Sequence, residues 1–138
     1  SAANSPSRPP EAVFFVDRSL GRIVVPAALR AAGATVVVHD DVFGADTPDE
    51  VWLEKAGRQG WIVLTQDQQI RYRAIELQAL LTAGVIAFVV VATGASGAEL
   101  GALLVRALRR MRAIAAAEAR PAVYVLRRDA KPIRVRLR

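Results

Sequence analysis

A chain of 138 residues makes one domain with room for a real core, and with no cysteine it can form neither disulfides nor thiolate metal sites. Its hydrophobic content is 53%, but no uninterrupted apolar run approaches the ~20 residues that span a bilayer. The net charge of +6 is unevenly held: residues 1–70 carry 6 Lys/Arg against 9 Asp/Glu (−3), and residues 71–138 carry 13 against 4 (+9).

An acidic half that could hold a cation beside a basic half that could hold a polyanion suits a nucleic-acid enzyme. A basic face that only aids solubility, or that docks an acidic partner, fits the charge equally well. Residues 1–10 are polar and Pro-rich, predicting a disordered tail ahead of a single domain over 11–138, and no charged-then-apolar leader opens the sequence. A cytoplasmic protein with no membrane contact is the default expectation.

Apolar runs and punctuation alternate in a βαβα rhythm. Residues 12–16 predict a strand, followed by a helix over about 21–32 in which Pro26 implies a kink, a late start or a separate short turn at 22–25. Gly33 suits the position just past that helix. Residues 35–39 predict a second strand and 40–46 a loop. Thr47-Pro48-Asp49-Glu50 reads as a capping box, opening a helix to about residue 58 that Gly60 closes.

A third strand at 61–65, a helix over about 68–82 and a fourth strand at 85–91 follow. Ser96-Gly97-Ala98-Glu99 is a second capping box, opening a helix to about residue 119 with an apolar stripe from Leu100 to Ala115. Residues 122–128 and 133–137 predict a β-hairpin around Asp129-Ala130-Lys131-Pro132. Near-continuous apolar strands separated by helices imply a parallel sheet covered on both faces.

Three aspartates sit at or just past the ends of such segments: Asp17, Asp49 and Asp67. Residues past strand C-termini gather at one edge of an α/β sheet, where such folds place their sites. Three carboxylates meeting there repel one another unless a divalent cation neutralises them, and oxygen ligands suit Mg²⁺ or Mn²⁺. That points to metal-assisted chemistry on phosphate esters. Asp17 and Asp67 could equally serve as N-caps of the helices that follow them. Asp49 is harder to explain so, because Thr47 and Glu50 already account for the cap and helical spacing groups Asp49 with Trp52, Leu53 and Ala56 on the inward stripe. An inward carboxylate is costly unless paired or metal-bound.

The remaining candidates carry less. His39 reads as structural, and Asp40, Asp41 and Asp46 as solvated loop acids. Gly94-Ala95-Ser96-Gly97 lacks the lysine and glycine pattern of a phosphate loop, and no Gly-x-Ser-x-Gly or cysteine nucleophile is present, which points away from covalent catalysis. Arg71 and Arg73 flank Tyr72 just beyond Asp67, while Arg106, Arg109, Arg110 and Arg112 read as the solvated face of the long helix.

Together, Phe14-Phe15-Val16-Asp17-Arg18, Thr47-Pro48-Asp49-Glu50-Val51-Trp52 and Val63-Leu64-Thr65-Gln66-Asp67 resemble a PIN domain. They are most similar to the PIN-like toxins of bacterial toxin–antitoxin modules, the VapC-like ribonucleases, over roughly residues 13–91. The resemblance implies a three-layer α/β/α sandwich with a central, mainly parallel sheet, here followed by the C-terminal β-hairpin. It implies a Mg²⁺- or Mn²⁺-dependent endoribonuclease that cleaves an RNA substrate and is restrained by a cognate antitoxin protein, with a homodimer left open.

Asp17, Asp49 and Asp67 would be its catalytic and metal-binding residues, and Arg18, Arg71 and Arg73 would grip substrate phosphates. Many members of the family carry a fourth acid shortly after the Thr-x-Asp, where this chain has Gln68, Gln69 and Ile70. Glu76 is the substitute if its helix returns it to the site, and Glu50 is a further candidate. Without a fourth acid, a catalytically silent module that binds RNA or protein is the alternative. A receiver-like signalling domain is a more distant one, because it requires a lysine after a late strand and neither Lys55 nor Lys131 is well placed for that.

Overall fold

Phe14 and Phe15 are neighbours in sequence but are fully buried in different cores, so the first strand is covered on both faces. The computed structural model describes residues 11–137, so the tail expected over residues 1–10 lies outside them. Strands β1 (Val13–Val16), β2 (Thr35–Val38), β3 (Ile62–Thr65), β4 (Ile86–Val90), β5 (Ala122–Leu126) and β6 (Ile133–Val135) form one sheet in the order β2-β1-β3-β4-β5-β6. The first five are parallel and β6 closes the edge antiparallel to β5. Every residue of β3, β4 and β5 is buried, the burial that their unbroken apolar runs predict.

Among the described residues five α-helices flank the sheet: α1 (Val24–Ala31), α2 (His39–Val42), α3 (Asp49–Gln59), α4 (Ala74–Ala83) and α5 (Gly97–Ala117). Val25 and Leu29 of α1, with Leu100, Leu104 and Met111 of α5, join Phe14, Leu64 and Phe88 in one core. Trp52 and Leu53 of α3, with Leu80 of α4, join Phe15, Val63 and Val89 in the other. The result is the expected three-layer α/β/α sandwich with a C-terminal hairpin. The C-terminal ends of β1, β3, β4 and β5 emerge along one edge.

Several local expectations need correction. A 3-10 turn at Arg18–Leu20 follows β1 and α1 begins only at Val24. Pro26 then falls in the first turn, where its missing N–H breaks no helical bond. The loop expected over 40–46 contains the single turn α2.

The capping box expected at Thr47 is absent: Pro48 is the N-cap residue and no side chain caps α3. The Thr47 N–H instead donates to Gly44 O at 3.1 Å, closing a turn that draws Thr47 away from the helix end. Asp49 and Glu50 still supply negative charge to the first turn. The box at Ser96 forms as predicted, with Glu99 N–H to Ser96 Oγ at 3.1 Å and Ser96 N–H to Glu99 Oε1 at 2.9 Å. The helix expected from residue 68 starts at Ala74. Ile70 is fully buried and donates its N–H to Asp67 O, which ties residues 67–70 into a turn before α4 can begin.

Candidate active site

Asp17 follows the last residue of β1, and its N–H continues the ladder to Leu64 O at 3.0 Å, fixing it against β3. Its carboxylate is nearly buried, at 8% exposure, and fully engaged. Oδ1 accepts from the Arg18 N–H at 2.7 Å, and Oδ2 accepts from Ser19 Oγ at 2.8 Å and Thr65 Oγ1 at 2.7 Å. Capping the short turn and lining the sheet edge are therefore both roles of one side chain. Fully buried Thr65, at the end of β3, also accepts the Asp67 N–H on Oγ1 at 3.0 Å. One hydroxyl thus fastens the first acid to the third, a physical reason for the Thr-x-Asp spacing.

Asp67 Oδ1 accepts from Gln69 N–H at 3.0 Å, and Oδ2 accepts from the Arg73 guanidinium at 2.6 Å. The same guanidinium stands 3.9 Å from Glu76 Oε1 on α4. Asp49, the first residue of α3, accepts from the indole N–H of buried Trp52 at 2.9 Å. Burial pushes the Asp49 carboxyl above the usual aspartate range. The Trp52 bond opposes that shift, and the negative charges of Asp17, Glu76 and Asp67 add to it. Arg73 is held firmly cationic, first by its bond to Asp67 and then by the charges of Asp67, Glu76 and Asp49, although burial opposes that.

The structure therefore brings Asp17, Asp49, Asp67 and Glu76 into one electrostatic cluster. Where the positions shortly after Asp67 hold Gln68, Gln69 and Ile70, the further acid near the cluster is Glu76 on α4. Glu50 is elsewhere: it lines a groove between α3 and α4 with Val51 and Glu54, and it is not among the charges that shift Asp49.

The arginines expected near the acids separate. Arg73 turns inward to them. Arg18 reaches Asp40 at 3.1 Å and Ala45 O at 2.6 Å, bracing the connection after β2. Arg71 lies over the exposed Tyr72 ring, 4.5 Å from its centroid. Asp40 is a brace rather than a solvated loop acid: its carboxyl is held below the ordinary range first by the His39 hydrogen bond, then by Arg18 and Arg22. His39 itself is 2% exposed among Phe15, Phe43 and Trp52, as a structural histidine should be. The α5 arginines are not simply solvated, because Arg106, Arg110 and Arg112 donate to Arg128 O, Ala130 O and Gly33 O.

Three contributors carried no role in the sequence reading: Ser19, Thr65 and Trp52. The signal for two of them was present, because a hydroxyl two residues after Asp17 and one two residues before Asp67 face each other once β1 and β3 pair. Among the described residues no three acids form a ready-made metal cage. Asp49 is turned to Trp52 and Asp67 to Arg73. The donor set still suits a hard divalent cation, since one guanidinium answers Asp67, Glu76 and Asp49, and Asp17 adds a further negative charge beside Asp49.

Residues 12–92 match the family model described as a PIN like domain. The chain is also 35% identical over 81 residues to a protein of Mycobacterium tuberculosis provisionally named ribonuclease VapC45. That alignment covers 56% of this chain and 59% of the relative, so the chain spans less than two thirds of the relative's length. No solved structure gives a significant match. Helix α5 and strands β5 and β6 lie beyond the matched residues.

Proposed function

The chain belongs to the PIN-like domain family, and on that premise we propose that it is a Mg²⁺- or Mn²⁺-dependent endoribonuclease, the cytoplasmic toxin of a toxin–antitoxin pair. The observation that carries the reading is the continuous run of contacts from Asp17 through Thr65 to Asp67, Arg73 and Glu76, with Asp49 under the field of the other three acids. Asp17, Asp49 and Asp67 would hold the metal, with Glu76 as the fourth acid. When bound, such an ion polarises a scissile phosphate and acidifies the attacking water.

The chain's own residues prepare that chemistry. Ser19, Thr65 and the Arg18 N–H hold the Asp17 carboxylate in place, and Trp52 aims Asp49. Arg73 offsets part of the acids' charge and would be the arginine nearest a substrate phosphate at the site, with Arg18 and Arg71 gripping phosphates farther along the strand. No side-chain general base is needed. A silent binding module is the alternative if no fourth acid serves the site, and the position of Glu76 beside Arg73 supports the nuclease reading over it.

A nuclease assay on mixed-sequence RNA tests the proposal. Cleavage is expected with Mn²⁺ or Mg²⁺, with neither chelator-treated protein nor Asp49→Asn active. Undiminished cutting in chelator, or by Asp49→Asn, would overturn the assignment. A metal titration that shows binding without any cleavage would favour the silent module.

A further inference from the structure

The sheet edge that carries the acids continues past β3. Strands β4 and β5 run parallel to β3, so Thr93 and Gly94 after β4 and Arg127 and Arg128 after β5 emerge at that same edge. With neighbouring strands ~4.8 Å apart, the end of β5 stands roughly 10 Å from the end of β3. That is the reach of about three stacked nucleotides at ~3.4 Å per base along one strand.

Arg106, Arg127 and Arg128 are exposed there. Arg128 donates to Thr93 O at 2.7 Å, and Arg106 on α5 donates to Arg128 O at 2.8 Å. The Arg106 and Arg128 guanidinia each spend part of a five-donor fork on a neutral carbonyl, so both are held in place. Two exposed acids neighbour the strip: Asp129, whose Oδ1 accepts from the Lys131 N–H at 3.1 Å, and Glu99, 3.9 Å from Arg128, a pairing of little energetic weight. Glu99 is in any case engaged in capping α5 through Ser96. Cations fixed by carbonyls, in line with an acid cluster on one edge, suit a phosphodiester chain that must pass over both.

We propose that Arg106, Arg127 and Arg128 form a phosphate-binding strip that holds the RNA strand about three nucleotides from the acid site. This inference rests on the nuclease reading above. The strip belongs to the segment beyond the family-matched residues, so it is a property of this chain's own C-terminal third.

The test is binding of fluorescently labelled single-stranded RNA of mixed sequence to the full chain in Ca²⁺, across a salt series. Arg127→Ala/Arg128→Ala is compared with Arg112→Ala/Arg120→Ala. The control pair removes the same charge but lines a hollow with Val13 and Ile62 at the opposite edge. Loss of two phosphate contacts should lower the log–log salt slope by about 1.4 and weaken binding severalfold. The opposite-edge pair should leave both nearly unchanged. Arg127→Gln alone, at an exposed site, should lower the slope by about half as much and serves if the double variant melts early.

Equal losses for the two pairs, or none for the strip, would overturn the proposal. So would an Arg127/Arg128 effect seen with polyglutamate but not with RNA, which would mark an acidic protein's docking face instead. Metal-dependent cleavage by the unmodified chain is measured in parallel. RNA loss at the strip without any cleavage sinks the nuclease and keeps the strip, whereas cleavage with no strip effect does the reverse.

Discussion

Thr65 shows how one hydroxyl can decide a site. It donates to Asp17 and accepts from the Asp67 N–H, so Thr65→Val deprives a buried carboxylate and a backbone amide together. Such orphaned groups cost roughly 1–3 kcal/mol of stability, and loss of a ligand's supporting partner lowers metal affinity by ~10–100-fold. A Mn²⁺ titration should show that loss in Thr65→Val and recovery of most of it in Thr65→Ser; unchanged affinity in the valine variant would refute the bridging role. Asp49 gives a prediction in pH. Its folded carboxyl is raised, chiefly by burial, so stability from protonation is complete below the ordinary aspartate value of about 3.9. That stability disappears as pH rises through the raised value. In metal-free buffer Asp49→Asn should therefore melt higher than the unmodified protein at neutral pH, because Asn Oδ1 still accepts from Trp52 and carries no charge. The advantage should shrink on acidification and also on adding Mg²⁺, which stabilises only the unmodified site. A lower melting temperature for the variant at pH 7 without metal would show that Asp49 is not under repulsion.

At the scale of elements, the site depends on how α3 and α4 lie together, since α3 brings Asp49 and α4 brings Glu76, with Arg73 just ahead of it. They pack tightly at Gly57 against Ala83, where an added Cβ would collide with the alanine Cβ and carbonyl oxygen. Alanine is the better helix former by ~1 kcal/mol, yet Gly57→Ala should destabilise by about 1–3 kcal/mol through overpacking. It should also weaken Mn²⁺ binding although it lies two turns from Asp49. A variant that melts higher with normal metal affinity would mean that the helix contact relaxes freely. The same two helices mark the limit of what the sequence disclosed. Strands β1 to β5, the α5 box and the hairpin were legible because apolar runs and reciprocal caps are local signals. The start of α4 was not, because buried Ile70 and the Asp67 turn override a continuous helical pattern. The Thr47 box failed for a similar reason, the Gly44 turn having claimed its N–H. Asp17, Asp49 and Asp67 could be read from their places after strands and on an inward stripe. Glu76 could not be settled, because its reach to the site depends on that unread turn.

For the molecule as a whole, the matched residues 12–92 should be less than a folding unit. They supply β1 to β4 and both helices of the α3/α4 face, but only α1 on the other face. Leu100, Leu103, Leu104, Leu108 and Met111 of α5 complete that second core, each no more than 5% exposed. Strand β5 pairs with β4 along its whole length. Five large side chains at roughly 1.5–3 kcal/mol each already rival the about 5–15 kcal/mol that holds a typical domain together. Deleting residues 93–138 would also expose a row of unpaired β4 backbone groups as a new sheet edge. The truncated chain should therefore lack a cooperative thermal transition and aggregate, even though it retains Asp17, Asp49, Asp67 and Glu76. Circular dichroism melts of the full and truncated chains decide the matter. A sharp, reversible transition in the truncated form would mean that the acid site rests on the α3/α4 core alone. Its absence would make α5 and the hairpin, the segment that also carries the basic strip, an obligatory half of the fold.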